Sequence, residues 1–200
     1  MPSVTRPGRL VEQGGRAGIA RAPTHETSLV RWAEVTRRLA DPGHQPPPVQ
    51  RPVPLMVAAM SGAGLAVAAR HADVVGFAGL RQVPGQPLGR FTLVGAAETA
   101  ERAAAVRQQA GGRAYRSDAL LQHVAIGADP AESAAQMTAG VPWLTVQEVL
   151  ASPFVLYAWS AGEAAAELRR RHELYGFDSV TTHQPSMEAL GQVIAAYRGG

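Results

Sequence analysis

Apolar positions along this chain follow two spacings. Some form short unbroken runs, and others recur every three or four residues. The run Pro54 to Met60 is too short for a stable helix and is closed by Ser61-Gly62, which suits a strand buried on both faces. Ser61-Gly62-Ala63-Gly64 then makes a small-residue turn, its hydroxyl placed to cap a helix. Leu65 to His71 supplies that short, Ala-rich helix, and Arg70 and His71 suit its negative end. Asp73 and a second apolar run, Val74 to Phe77, complete a β-α-β unit, the building block of parallel sheets.

The same alternation extends in both directions. Residues 1–23, rich in Gly, Pro and Arg, read as a disordered leader. Thr24 to Ala40 has Leu29, Trp32, Val35, Thr36 and Leu39 on one helical face, and Asp41-Pro42-Gly43 stops it. Pro46-Pro47-Pro48 and Pro52 make 41–53 an extended connector. Ala78 to Thr92, with its Gly and Pro, reads as a loop. Ala96 to Gly111 is a helix and Asp118 to Gly127 a strand carrying His123. Asp129-Pro130-Ala131-Glu132 starts a helix running to about Ala139, and Thr145-Val146-Gln147-Glu148 starts another with a capping box. Phe154 to Trp159 is strand-like, Glu163 to Tyr175 is helical, Ser179 to Thr182 is the last strand, and Met187 to Tyr197 closes the chain as a helix. Arg169-Arg170-Arg171-His172 reads as a solvated helix face.

The candidate chemistry gathers where strands end. A helix N-terminus at the carboxyl end of a parallel strand offers free N–H groups to an anion, usually a phosphate, and small residues let it come close. The turn at Ser61-Gly62 has that form, and it equally suits a tight connection with no ligand. Arg81 and Arg90 lie in the loop after the second strand, where they meet an anionic ligand or are simply solvated. His183, Gln184 and Ser186 leave the last strand, and His183 is the most reactive side chain at any strand end. His123, inside its strand, reads as a packed residue.

Composition narrows the classes. Two hundred residues at 46% hydrophobic and 18% charged are enough for one domain with a real core. All 19 basic residues are Arg, and the net charge of +3 is spread along the chain, a poor footprint for nucleic acid. There is no Cys, hence no disulfide, thiolate nucleophile or Cys-based metal site. No apolar run is long enough for a membrane span and no secretory signal is written at the N-terminus, so a cytoplasmic protein is expected.

The segment PLMVAAMSGAGLAVAARHADVVGF, residues 54–77, resembles the central part of the luciferase-like flavin and deazaflavin oxidoreductases. Residues 152–197, SPFVLYAWSAGEAAAELRRRHELYGFDSVTTHQPSMEALGQVIAAY, resemble the C-terminal part of the same family. The resemblance implies an α/β fold: a partial TIM (β/α)8 barrel of roughly the last four β-α units, preceded by an N-terminal helix, with the domain spanning 24–200. It implies an oxidoreductase or monooxygenase that uses coenzyme F420, with FMN as the alternative, on a small-molecule substrate. It also implies that Ala58, Ala59, Met60, Ser61 and Gly62 hold the cofactor's phosphate side. Family members often carry Gly and Pro-Arg where this chain has Ala58-Ala59-Met60 and Gly62-Ala63, which removes a charged contact. The family's first four strands have no counterpart here, so the resemblance assigns no catalytic residue and describes a truncated member.

A half-barrel leaves two sheet edges and apolar strand faces open. Two readings follow: an enzyme completed by a homodimer or a complementary half-barrel chain, or a non-catalytic β-α scaffold that pairs with a partner through those edges. A Rossmann-type nucleotide binder is set aside, because the turn lacks G-x-G-x-x-G and its acidic partner.

Overall fold

The computed structural model describes residues 53–199, together with Val30, Arg31, Glu34, Val49 and Gln50. The expected leader, the Thr24–Ala40 helix and the Pro-rich connector lie almost wholly outside the described residues; Val30, Arg31 and Glu34 are helical. The elements run β1 (Met56–Ala59), α1 (Gly62–His71), β2 (Val74–Phe77), β3 (Leu80–Gln82), β4 (Phe91–Leu93) and α2 (Ala96–Ala110). Then come β5 (Arg116–Leu121), β6 (His123–Ile126), α3 (Pro130–Thr138), α4 (Val146–Leu150), β7 (Val155–Ala158), α5 (Ala161–Tyr175), β8 (Ser179–Thr182) and α6 (Met187–Gly199).

β1, β2, β5 and β8 form one parallel sheet in that spatial order, with Ala58 beside Gly76, Gly76 beside Asp118, and Asp118 beside Ser179. A doubly wound sheet would reverse its strand order and carry helices on both faces. Neither occurs here. Four of the helices make one layer, α1 on α2, α2 on α5 and α5 on α6, while α3 packs on α4 and β7. Ala59, Val75, Phe77, Ala119 and Leu121 are buried in the cores beneath this layer. The opposite sheet face carries Met56, 49% exposed, with Ala58 and Thr181 exposed and Val74 and Leu120 half-covered. Four sequential parallel strands with helices outside and an open inner face make half of an eight-stranded β/α barrel. The partial-barrel expectation holds.

Carboxylates tie the amino ends of the strands together. Leu55 N donates to Asp73 Oδ2 at 2.8 Å while Asp73 N donates to Leu55 O at 2.8 Å, which locks β1 to β2. Ser117 N donates to Asp178 Oδ2 at 2.8 Å, joining β5 to β8 in the same way. In a β/α barrel this end serves stability, which leaves the carboxyl rim for function. Above the clamps, the Phe177 ring sits 5.4 Å from Phe77, 5.4 Å from Tyr175 and 5.9 Å from Phe154, and these four rings fill the largest core.

Three expectations need correction. Residues 118–127 are two strands rather than one. Gln122 N donates to Phe154 O at 2.7 Å, the backbone bends there, and β6 leaves to pair with β7 in a separate parallel sheet. The loop after β2 contains an antiparallel hairpin, β3 on β4. Its connection is knotted by Gln82, whose Nε2 donates to Pro87 O at 2.9 Å and whose Oε1 accepts from Gly89 N at 3.1 Å. Arg171 belongs to no solvated face: it is 7% exposed. It follows Ala164 by seven residues, and at 3.6 residues per turn that returns it to the core side of α5.

His123 opens β6 with its Nδ1 buried and without a partner, its ring edge against Tyr157 at 5.5 Å. Burial lowers the His123 pKa and pushes Tyr157 up to about 12. A histidine whose folded pKa lies below its unfolded value of 6.5 binds more protons unfolded than folded. The protonation part of its cost is therefore small at pH 7, and stability drains as pH falls through 6.5 toward the folded value. We expect the melting temperature of His123→Phe to fall less between pH 7 and pH 5 than that of the parent chain. Equal falls in a scanning-fluorimetry series would count against this role.

Among the described residues no helix is long and apolar enough to cross a membrane.

Candidate functional site at the carboxyl rim

The turn after β1 has the geometry that its residue types imply. Ser61 is the N-cap of α1: its Oγ accepts from Gly64 N at 3.1 Å and its carbonyl from Leu65 N at 2.9 Å. The amides of Gly62 and Ala63 precede the first helical hydrogen bond and are the donors such a terminus leaves over. Beyond its own turn of chain, no described atom lies within 4 Å of where a Gly62 Cβ would be, so the approach is open.

The five expected cofactor-binding residues are not equivalent. Ala59 is buried on the helix side, so only its backbone reaches the rim. Ala58 sits on the open inner face, against Gly76, where an added Cβ would meet the Ala58 Cβ at 2.8 Å. Met60, 39% exposed, Ser61 and Gly62 form the rim itself.

Two arginines join them. A cleft of about 500 Å³ is lined by Met60, Ser61, Arg81, Gln82 and Arg102. Arg102 comes from α2, donates through Nη1 to Met60 O at 2.7 Å, and pairs with Glu98 at 2.5 Å. Arg81 comes from β3 and lies 3.5 Å from the same carboxylate. The cluster carries two guanidinium groups and one carboxylate beside a positive helix end, so its surplus is cationic. Arg90, the other arginine expected here, is drawn away: its Nη1 donates to Gln86 Oε1 at 2.8 Å and its guanidinium stacks 4.9 Å from the Trp143 ring. Arg102 was missed from sequence because Met60 is 42 positions away.

Across the rim, Gln122 at the end of β5 bridges two other strand ends. Its Nε2 donates to Ala78 O at 2.7 Å, and its Oε1 lies 3.3 Å from Nε2 of His183. Ser186 is structural instead: it is 2% exposed and its Oγ accepts from Val124 N at 3.1 Å. Among the described residues no group of three or more His, Asp or Glu could hold a metal ion.

No protein-family model matches the sequence, and no curated protein matches it. Among solved structures the chain is similar to a long-chain alkane monooxygenase at 15% identity, TM-score 0.43, over 78% of this chain and 42% of that one. It is similar to a riboflavin lyase, solved with modified FMN and riboflavin, at 18% identity, TM-score 0.44, over 72% and 42%. It is also similar to the EDTA monooxygenase of Chelativorans sp. BNC1, at 15% identity, TM-score 0.44, over 78% and 48%. The chain spans less than half the length of each of these proteins.

Proposed function

We propose that this chain is the second half of a luciferase-like barrel and works as a flavin- or deazaflavin-dependent oxidoreductase. Its carboxyl rim holds the phosphate side of the cofactor. The observation that carries this reading is the meeting of the α1 N-terminus with Arg81 and Arg102 in one open cleft, beside the segment that resembles the family. The free amides of the first turn and the two guanidiniums suit a phosphate in donor type and charge. They do not distinguish coenzyme F420 from FMN, since both carry phosphate; the resemblance favours F420. When bound, either cofactor supplies hydride-transfer chemistry. The chain's own part is to anchor the anionic end, with Ser61 holding the helix start and Arg102 holding the Met60 carbonyl that leads into it.

The open inner face favours a second reading. Met56, Ala58 and Thr181 would line the lumen of a closed barrel, and here they meet no described residue from an opposite wall. In that reading the chain pairs with a second copy or a complementary chain and serves as scaffold. Both readings need a partner surface to complete the mouth, and cofactor retention separates them.

Arg81 is 45% exposed and among the described residues its ion pair is an outer contact with Glu98, so its removal is expected to leave the fold intact. One charge-assisted hydrogen bond contributes about 1.5–3 kcal/mol, roughly 10- to 100-fold in affinity. Arg81→Ala is expected to weaken F420 or FMN binding by that factor in a fluorescence titration. Unchanged affinity would remove Arg81 from the site.

A further inference from the structure

The hydrogen bonds of Gln122 set the protonation of His183. Ala78 O can only accept, so the group 2.7 Å from it is the Gln122 NH₂ and the amide cannot be flipped. Gln122 Oε1 therefore faces His183 Nε2 at 3.3 Å, and an amide oxygen can only accept. That contact is a hydrogen bond only in the tautomer with the proton on His183 Nε2. In the neutral ring Nδ1 is then a bare acceptor. His183 is exposed, and its Nδ1 has no protein partner among the described residues.

We propose that His183 is a binding residue of the rim that accepts a hydrogen bond on Nδ1 from the hydroxyl of a neutral small molecule. Gln122 is its positioning residue. Three strand ends converge to make the device: β2 offers the Ala78 carbonyl that orients the amide, β5 offers Gln122, and β8 delivers His183. The chain does not spend this acceptor on itself, unlike His172, whose Nδ1 lies 2.8 Å from Phe177 O. The tautomer follows from hydrogen-bond partners alone, so it holds whether or not a flavin binds at Ser61.

Nitrogen-15 NMR of the labelled full chain tests this, with His183→Asn used to assign the ring. The parent chain at pH 8 is expected to show His183 with Nε2 protonated and Nδ1 bare. Benzyl alcohol is expected to move the Nδ1 resonance several-fold more than its methyl ether, which has no O–H to donate. Gln122→Leu is expected to cut that difference by half or more while the other histidine rings keep their shifts. An Nδ1-protonated His183, equal responses to the alcohol and the ether, or a full response in Gln122→Leu would each overturn the proposal.

Discussion

Gly79→Ala is expected to lower stability by about 2–5 kcal/mol. Gly79 sits at φ +70°, and an added Cβ would lie 2.1 Å from Cγ and 2.4 Å from Cδ1 of Phe154. The left-handed backbone costs a non-glycine residue about 1–2 kcal/mol. Forcing atoms into a packed core adds roughly 1–3 kcal/mol. Phe154 has nowhere to retreat: it is 2% exposed and packs on Phe177 within the main core. Gly85 provides the control, because it has the same φ of +70° and no described atom within 4 Å of the added Cβ. Gly85→Ala is expected to show only the backbone part, about 1–2 kcal/mol. Urea unfolding of the two variants measures the difference, and equal losses would mean that Phe154 does not confine the turn after β2.

The second large effect is expected at Arg171. Its Nη1 donates to Pro153 O at 2.6 Å and its Nε meets Glu167 at 2.8 Å, within a residue that is only 7% exposed. Burial lowers the Arg171 pKa, although Glu167 opposes the shift. Burial in turn raises the pKa of Glu167, yet hydrogen bonds from Arg170 and Arg171 outweigh it and the net shift is downward. Arg171→Ala strands the Pro153 carbonyl, and leaving a buried acceptor unsatisfied costs about 1–3 kcal/mol, while Glu167 keeps its two bonds to Arg170. Arg170→Ala, at an exposed position, is expected to cost no more than about 1 kcal/mol. Thermal unfolding of both variants distinguishes the buried arginine from its solvated neighbour. A similar small loss in both would restore the solvated-face reading of the run.

These two positions show where local pattern stops informing. β1, its turn and α1 could be read directly, because the Ser61 cap and the apolar runs on either side are local signals. The Asp129-Pro130 start of α3 and the capping box of α4 were equally plain and are formed as expected. The break at Gln122 was hidden, because apolar residues continue on both sides and the bend depends on a carbonyl at Phe154. The hairpin was hidden for a different reason: its three-residue strands are held by the side chain of Gln82 rather than by any alternation. In the candidate site, Ser61 and Gly62 could be located from the turn, and Met60 was named from the family resemblance. Arg102 and Gln122 could not, since each acts on a strand end more than forty positions away.

We propose that this half-barrel holds a phosphate-bearing flavin or deazaflavin at its carboxyl rim. Native mass spectrometry of the purified chain, with F420 or FMN added, tests it most directly. The expected result is a complex that retains one of these cofactors and loses it more readily in Arg81→Ala. A parent chain that holds neither, as monomer or as dimer, would contradict the enzyme reading and leave the half-barrel as a scaffold.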